Sequence, residues 1–167
     1  MEFTAKLENF NTRLWTYHIK VPNAIARYFL DMGDKRVICH LNNSLEFQCA
    51  IMAAGEGIYF INLNKKIRDL LGLKEGTKIH VMLEKDESEF GMPFPEEFKE
   101  VLKQDKKANM LFEELTPGKQ RNLIYIVGQA KNTDLRIMRS IIIIDHLKNN
   151  LGKIDFRSLN KELQAKK

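Results

Sequence analysis

The sequence has few of the residues from which metal and redox sites are built. It contains two cysteines and four histidines among 167 residues, and neither type stands at a ligand spacing such as C-x-x-C or H-E-x-x-H. Two thiols without an export signal are typical of a protein in a reducing compartment. We therefore expect no metal centre, no bound cofactor and no catalytic cysteine.

Long apolar runs are also missing. The longest compact apolar stretch is the four isoleucines at 141–144, whereas a membrane-spanning helix needs about 18 apolar residues. The first residues do not place a basic segment before an apolar core, so they do not resemble a secretion signal. These absences predict a cytoplasmic location and no membrane span.

A strong excess of charge of one sign is missing as well. The net charge is +5, and residues 1–92 contain 12 Lys+Arg and 12 Asp+Glu, a difference of zero. Residues 93–167 contain 15 and 10, a difference of +5. Nucleic-acid-binding domains usually show a denser basic stripe, so nucleic acid is a weakly supported partner.

What is present is a charged segment between two parts with different hydrophobic periodicity. Before it, apolar residues alternate with polar ones, as at Phe3, Ala5 and Leu7, which indicates half-buried strands. After Pro95 the apolar spacing becomes that of amphipathic helices. We predict an α+β protein, with a closed β-barrel of about six strands and short helices over residues 1–86, a linker over 87–93, and an all-α domain of about four helices over 94–167.

The Asn42-Asn43 pair predicts a β-hairpin with a two-residue type I′ loop. With that loop the numbers of facing residues sum to 85, so that Cys39 faces Glu46. The two thiols then point to opposite faces, and we expect no disulfide. The predicted core face of this hairpin consists of Ile38, Leu45, Phe47, Cys49 and Ile51, with His40 beside them.

Two blocks of residues resemble known bacterial domains. The first block consists of Arg36-Val37, Asn42-Asn43, Phe47, Gly57-x-Tyr59, Leu63-Asn64-Lys65, Arg68, Leu71-Gly72, Gly76, Val81, Leu83 and Asp86. It resembles a bacterial β-barrel domain of unknown function. The second block consists of residues 95–105, Phe112-x-x-Leu115-x-Pro117, Arg121, Ala130-Lys131, Arg136 and Arg139. It resembles the helical domain of the bacteriocin-protection, YdeI or OmpD-associated (OmdA-like) type, which often follows the first.

Together the two blocks cover nearly the whole chain. The resemblance implies a closed barrel of about six strands followed by a helical domain. It also implies a role tied to bacteriocin resistance, without a known reaction.

The strongest polar constellation lies in the C-terminal half and consists of Arg121, Lys131, Arg136 and Arg139. Arg136 and Arg139 are three residues apart and so share a helix face. Because guanidinium groups bind phosphates and carboxylates bidentately, this cluster suits an anionic small molecule. The alternative is structural, with the arginines pairing with neighbouring carboxylates and covering helix ends.

The polar or aromatic candidates of the N-terminal half are Trp15, His18, Arg36, His40 and Arg68. Three histidines, at 18, 40 and 80, fall on predicted strands, so either they gather inside the barrel or they are ordinary structural residues. Trp15 lies two residues from Arg13 and Tyr17. That combination suits base stacking, although a tryptophan on a strand is usually part of the core.

No catalytic motif stands out from these patterns. We interpret the chain as a non-catalytic protein that binds a ligand or a protein partner, and the resemblance suggests bacteriocin or envelope-stress tolerance as its role. Two alternatives remain open. One is nucleic-acid binding through the basic helical half, and the other is an enzyme that acts on an anionic small molecule.

Overall fold

The computed structural model describes residues 1–11, 16–33 and 35–165. The chain divides into two compact units, residues 1–91 and 92–167. The strands of the N-terminal unit are β1 (Glu2–Asn9), β2 (Tyr17–Val21), β3 (Arg36–Leu41), β4 (Leu45–Ala50), β5 (Met52–Gly55), β6 (Ile58–Asn62) and β7 (Lys78–Lys85). Its helices are α1 (Asn23–Asp31) and α2 (Lys65–Leu70).

The seven strands form one antiparallel sheet in the order β4-β3-β7-β1-β2-β6-β5. The predicted α+β class is confirmed, but the closed barrel of about six strands is wrong. The sheet is an open half-barrel, since β4 and β5 are its two edges. The reason is a break at Ile51: the sequence pattern predicts one strand across it, whereas β4 ends before it at one edge and β5 begins after it at the other.

The β3–β4 hairpin also differs from its prediction by one residue. Its loop has three residues, and Asn42 and Asn43 adopt positive φ of 51° and 52°. Cys39 therefore pairs with Phe47, and facing numbers sum to 86. A shift of one residue moves every side chain of a strand to the other face. The core face of β3 is thus Val37, Cys39 and Leu41 instead of Ile38, and both cysteines belong to the core face.

The core of the N-terminal unit lies on the concave side of the half-barrel. It is built from alternating aliphatic residues of the strands, and each fully buried one stabilises the fold by about 1.5–3 kcal/mol. Two short helices close it. Ala26 and Phe29 of α1 are buried, and Ile67 of α2 is buried next to its cap, since the side chain of Asn64 accepts the Ile67 N–H at 3.0 Å.

The C-terminal unit is helical. Its helices are α3 (Glu96–Gln104), α4 (Lys106–Glu113), α5 (Pro117–Gly128), α6 (Thr133–Asn149) and α7 (Phe156–Ala165). The described residues thus form one helix more than the four predicted, and the additional one is the tail helix α7. Helix α6 is central, because α3, α4, α5 and α7 all pack against it. Within the described residues, no helix is both long and apolar enough to cross a bilayer.

Candidate functional site

Helix α6 carries more apolar surface than its neighbours cover. Apolar residues occur on nearly all of its sides, a pattern typical of a helix buried all round. Ile143 and Leu147 are fully buried among the packed helices. However, Ile137 and Ile141 remain 38% and 43% exposed. Among the described residues, therefore, no element fully covers this stripe of the central helix.

That stripe forms the floor of a groove between α3 and α6. The groove has a volume of about 600 Å³. Its floor consists of Val101, Ile137, Ile141 and Ile144. Its rim consists of Glu96, Glu97, Glu100, Gln104 and Asp105.

A second depression, of about 360 Å³, adjoins the first along α6. Ile137 and Ile141 line both of them. The second is completed by Asp134, Met138 and Ile142. We call the two depressions together the α3–α6 groove.

The charge on this groove is opposite to the charge of the rest of the C-terminal half. Residues 93–167 contain ten Asp and Glu side chains, and five of them line the α3–α6 groove. No Lys or Arg is among its described lining residues. The local surface is thus acidic around an apolar floor.

Two of these carboxylates pair with cations of the C-terminal unit. Arg136 Nη1 lies 3.2 Å from Glu97 Oε1, and Lys148 Nζ lies 2.7 Å from Asp105 Oδ2. The backbone N–H of Glu97, at the start of α3, and then Arg136 lower the pKa of the Glu97 carboxyl. Lys148, followed by the backbone N–H of Ala108, lowers the pKa of the Asp105 carboxyl. Both side chains therefore remain charged at neutral pH.

Two members of the predicted cationic cluster make contacts within the C-terminal unit. Arg136 is the partner of Glu97, and Arg139 Nη1 donates to the carbonyl oxygen of Ile126 at 2.6 Å, in the last turn of α5. Arg121 is half-buried on α5, and Lys131 is exposed before α6. Two of the four cations thus make structural contacts of the kind that the alternative interpretation predicts. Anion binding by this cluster stays a prediction.

The three strand histidines lie on the convex face of the half-barrel, away from its core. His18, His40 and His80 each alternate with strand neighbours that belong to the core. His18 is 1% exposed and stacks on Phe10 with 3.5 Å between ring centroids. Its burial lowers the pKa of His18. The interior cluster that we considered is therefore not formed.

His40 and His80 face exposed carboxylates instead. His40 Nδ1 lies 3.7 Å from Glu46 Oε2, and His40 Nε2 lies 3.5 Å from Glu84 Oε2. His80 Nε2 lies 3.4 Å from Glu2 Oε2. Among the described residues, no group of three or more His, Cys, Asp or Glu side chains is arranged to hold a metal ion.

The two arginine candidates of the N-terminal unit make contacts within that unit. Arg36 Nη2 donates to the carbonyl oxygen of Gly91. The guanidinium of Arg68 lies 3.9 Å above the ring centroid of Tyr17, and its Nε donates to the carbonyl oxygen of Leu63 at 3.2 Å. Trp15, the remaining candidate, lies outside the described residues.

The cysteines are both free thiols. The hydrogen bond between Cys49 and Cys39, and then burial, raise the pKa of the Cys39 thiol far above its usual range. Since the thiolate is the nucleophilic form, Cys39 is poorly suited to covalent chemistry.

The groove is the feature that the sequence interpretation missed. Its signal was the run of isoleucines within a helix that is apolar on nearly every side. That pattern predicts burial, but it does not tell which stripe lacks a covering helix.

Comparison with protein families divides the chain in the same order as the fold. Residues 3–83 match the family model described as Domain of unknown function (DUF1905). Residues 92–150 match the model described as Bacteriocin-protection, YdeI or OmpD-Associated. No curated protein matches the chain. The chain therefore carries an N-terminal domain of the DUF1905 family followed by a C-terminal domain of the bacteriocin-protection, YdeI or OmpD-associated family.

Proposed function

We propose that this chain is a non-catalytic binding protein whose C-terminal unit binds a protein partner through the α3–α6 groove. The observation that carries the proposal is the exposure of Ile137 and Ile141 on the floor of a groove of about 600 Å³. Exposed apolar surface that is rimmed by polar residues is typical of protein interaction sites. The central helix of a small unit would otherwise gain stability by being covered.

The positions of the strand histidines favour binding over catalysis. His18 stacks on Phe10 and contacts Phe60 edge to face on the convex face, while His40 lies between Glu46 and Glu84. Neither lines the α3–α6 groove. An acid–base mechanism needs such groups within hydrogen-bond reach of one substrate.

The family description connects the C-terminal domain with bacteriocin protection. We therefore place the proposed binding in bacteriocin or envelope-stress tolerance, carried out from the cytoplasm. In this role the protein acts by holding its partner and not by a reaction of its own.

A crosslinking experiment in the full chain tests the groove. Ile141 is replaced by the photo-crosslinker p-benzoylphenylalanine, and Tyr125, which is 54% exposed on α5, is replaced in a matched control. After irradiation in an extract of the host cells, we expect one identified partner to be joined at position 141 and not at position 125. Excess unmodified chain should suppress that adduct, while excess Ile141→Asn chain should not.

Equal crosslinking at both positions would contradict the proposal, as would suppression by the Ile141→Asn chain.

The alternative of nucleic-acid binding rests on the charge difference of +5 in residues 93–167. It predicts an affinity for DNA or RNA that falls steeply with salt concentration. An affinity that does not change with salt would reject it.

A further inference from the structure

We infer that the partner segment bound in the α3–α6 groove is a basic amphipathic helix. This inference rests on the proposed function and specifies the chemistry of the partner. It is carried by the combination of an apolar floor with an acidic rim. A helix that fits such a groove needs an apolar stripe flanked by Lys or Arg.

The dimensions of the groove suit a short helix. Along α6 its lining extends from Asp134 to Ile144, a distance of about 15 Å at 1.5 Å per residue. That is about three helical turns, the length over which a docked helix presents anchors at i, i+3, i+4 and i+7. Helix α3 supplies the opposite wall of the larger depression, from Glu96 to Gln104.

The rim offers negative charge that is available to a partner. Glu100 is exposed and accepts a hydrogen bond from Gln104 Nε2 at 2.9 Å. Gln104 is neutral, so this bond leaves the negative charge of Glu100 uncompensated. Glu96 pairs with Lys99 at 2.7 Å, but this pair is exposed and so weak in water. Glu97 and Asp105 already pair with Arg136 and Lys148 within the unit, so they add little net charge. A basic partner therefore meets Glu96 and Glu100 on the α3 side of its apolar stripe and Asp134 on the α6 side.

The same charges disfavour the other occupants of the groove. A symmetric dimer would place the same patch of each copy against the other. Its two acidic rims would then face each other across the interface, and like charges there are costly. Nucleic acid and acidic peptides are repelled for the same reason. A basic helix from another protein is the occupant that both the shape and the charge favour.

A pair of peptides tests the inference with the full-length chain. The basic peptide is an amphipathic helix of roughly 14 residues with a leucine stripe flanked by lysines. The acidic peptide has the same leucine stripe and glutamate in place of every lysine. Binding of each labelled peptide is measured by fluorescence anisotropy at low and at high ionic strength. We expect the basic peptide to bind at least about tenfold more tightly, with a difference that shrinks as salt rises.

Charge reversal and removal of the apolar floor locate the binding. The Glu100→Lys/Gln104→Lys double variant changes two rim residues of α3, and we expect it to bind the acidic peptide more tightly than the basic one. The neutral Ile141→Asn variant should weaken the basic peptide by about tenfold, because it removes an anchor without changing the charge. Tyr125→Asn, an exposed change on α5, is the matched control and should have no effect.

The outcomes separate this inference from the proposed function. Unchanged preference in the double variant, or equal binding by wild type and Ile141→Asn, overturns the inference. If both peptides bind equally and Ile141→Asn abolishes both, the groove binds a partner helix but not a basic one. If neither peptide binds, the inference fails. Self-association in analytical ultracentrifugation that Ile141→Asn removes would assign the groove to a second copy.

Discussion

Replacing Asp86 by alanine should destabilise the N-terminal unit by about 2–4 kcal/mol. Asp86 follows β7 and is only 8% exposed. Its carboxylate accepts hydrogen bonds from Gln48 Nε2 at 3.2 and 3.0 Å, from the Ser88 N–H at 3.0 Å and from Ser88 Oγ at 2.6 Å. The network fastens the end of the unit to β4 and continues through Ser88 Oγ to the N–H of Gly91 at 3.1 Å.

The size of this destabilisation depends on which hydrogen-bond donors find another acceptor in the alanine variant. A hydrogen bond to a charged group contributes about 1.5–3 kcal/mol, and three donors lose such a bond in the alanine variant. Gln48 Nε2 retains Ser88 Oγ at 2.8 Å, and Ser88 is exposed enough for water to reach it. The expected loss is therefore nearer to the value of one or two bonds than to the sum of all.

Urea denaturation of the full chain followed by far-ultraviolet circular dichroism measures this loss. With a urea m-value of about 2 kcal/mol/M, the midpoint should fall by about 1–2 M. Asp86→Asn keeps an acceptor for Ser88 and should show a smaller shift. Asp69→Ala, on the exposed side of α2, is the control and should change stability by less than about 0.5 kcal/mol. Equal midpoints for Asp86→Ala and Asp69→Ala would refute the reasoning.

Three further predictions concern single residues of the N-terminal unit and the core of the helical unit. Burial lowers the pKa of His18 in the folded protein, so protonation of His18 favours unfolding. The contribution of His18 to the free energy of unfolding should be complete above the unfolded pKa of about 6.5 and should fall by at most about 1.4 kcal/mol per pH unit below it. Urea titrations at several pH values should show that the His18→Gln variant loses this pH dependence, and an unchanged dependence would contradict the assignment. Gly91→Ala should lower the free energy of unfolding by about 1–3 kcal/mol, because Gly91 has a φ of +64° and an added Cβ would lie 2.5 Å from Arg36 Nε. Thermal unfolding measures this loss of stability. Gly118→Ala, where nothing lies within 4 Å of the added Cβ, is the control. Phe98→Ala should cost about 3–5 kcal/mol, because Phe98 is fully buried, and circular dichroism should report the loss as an earlier helix transition.

The sequence correctly predicted those strands and helix caps that depend only on residues close together in the chain. Alternation along β1 and β7 and the cap at Asn64 follow from neighbouring residues, and the structure has these features. The break at Ile51 depends on pairing with two different strands, β3 and β6, which no local pattern contains. The loop at Asn42 and Asn43 was one residue longer than the favoured hairpin turn, and that single residue exchanged the faces of β3.

The candidate site shows the same division between local and distant causes. The apolar character of α6 was visible in the sequence, but the exposure of Ile141 depends on how many helices pack around α6. Likewise, Arg136 and Arg139 both lie on α6 as their spacing predicts, whereas the partner Glu97 lies 39 residues from Arg136. Side-chain partners at such separations are set by the packing of whole helices and not by sequence spacing.

The two edge strands of the half-barrel sheet, β4 and β5, have a consequence for aggregation. An unpaired strand edge is a template on which another chain can add a strand. At one edge, β5 has only four residues and its register with β6 shifts between Ala53 and Gly55. A short, irregular edge pairs poorly with a straight strand from outside. The β5 edge is thus shielded by its own irregularity, and intermolecular strand addition during refolding should begin at β4, where the pairing with β3 is regular over six residues.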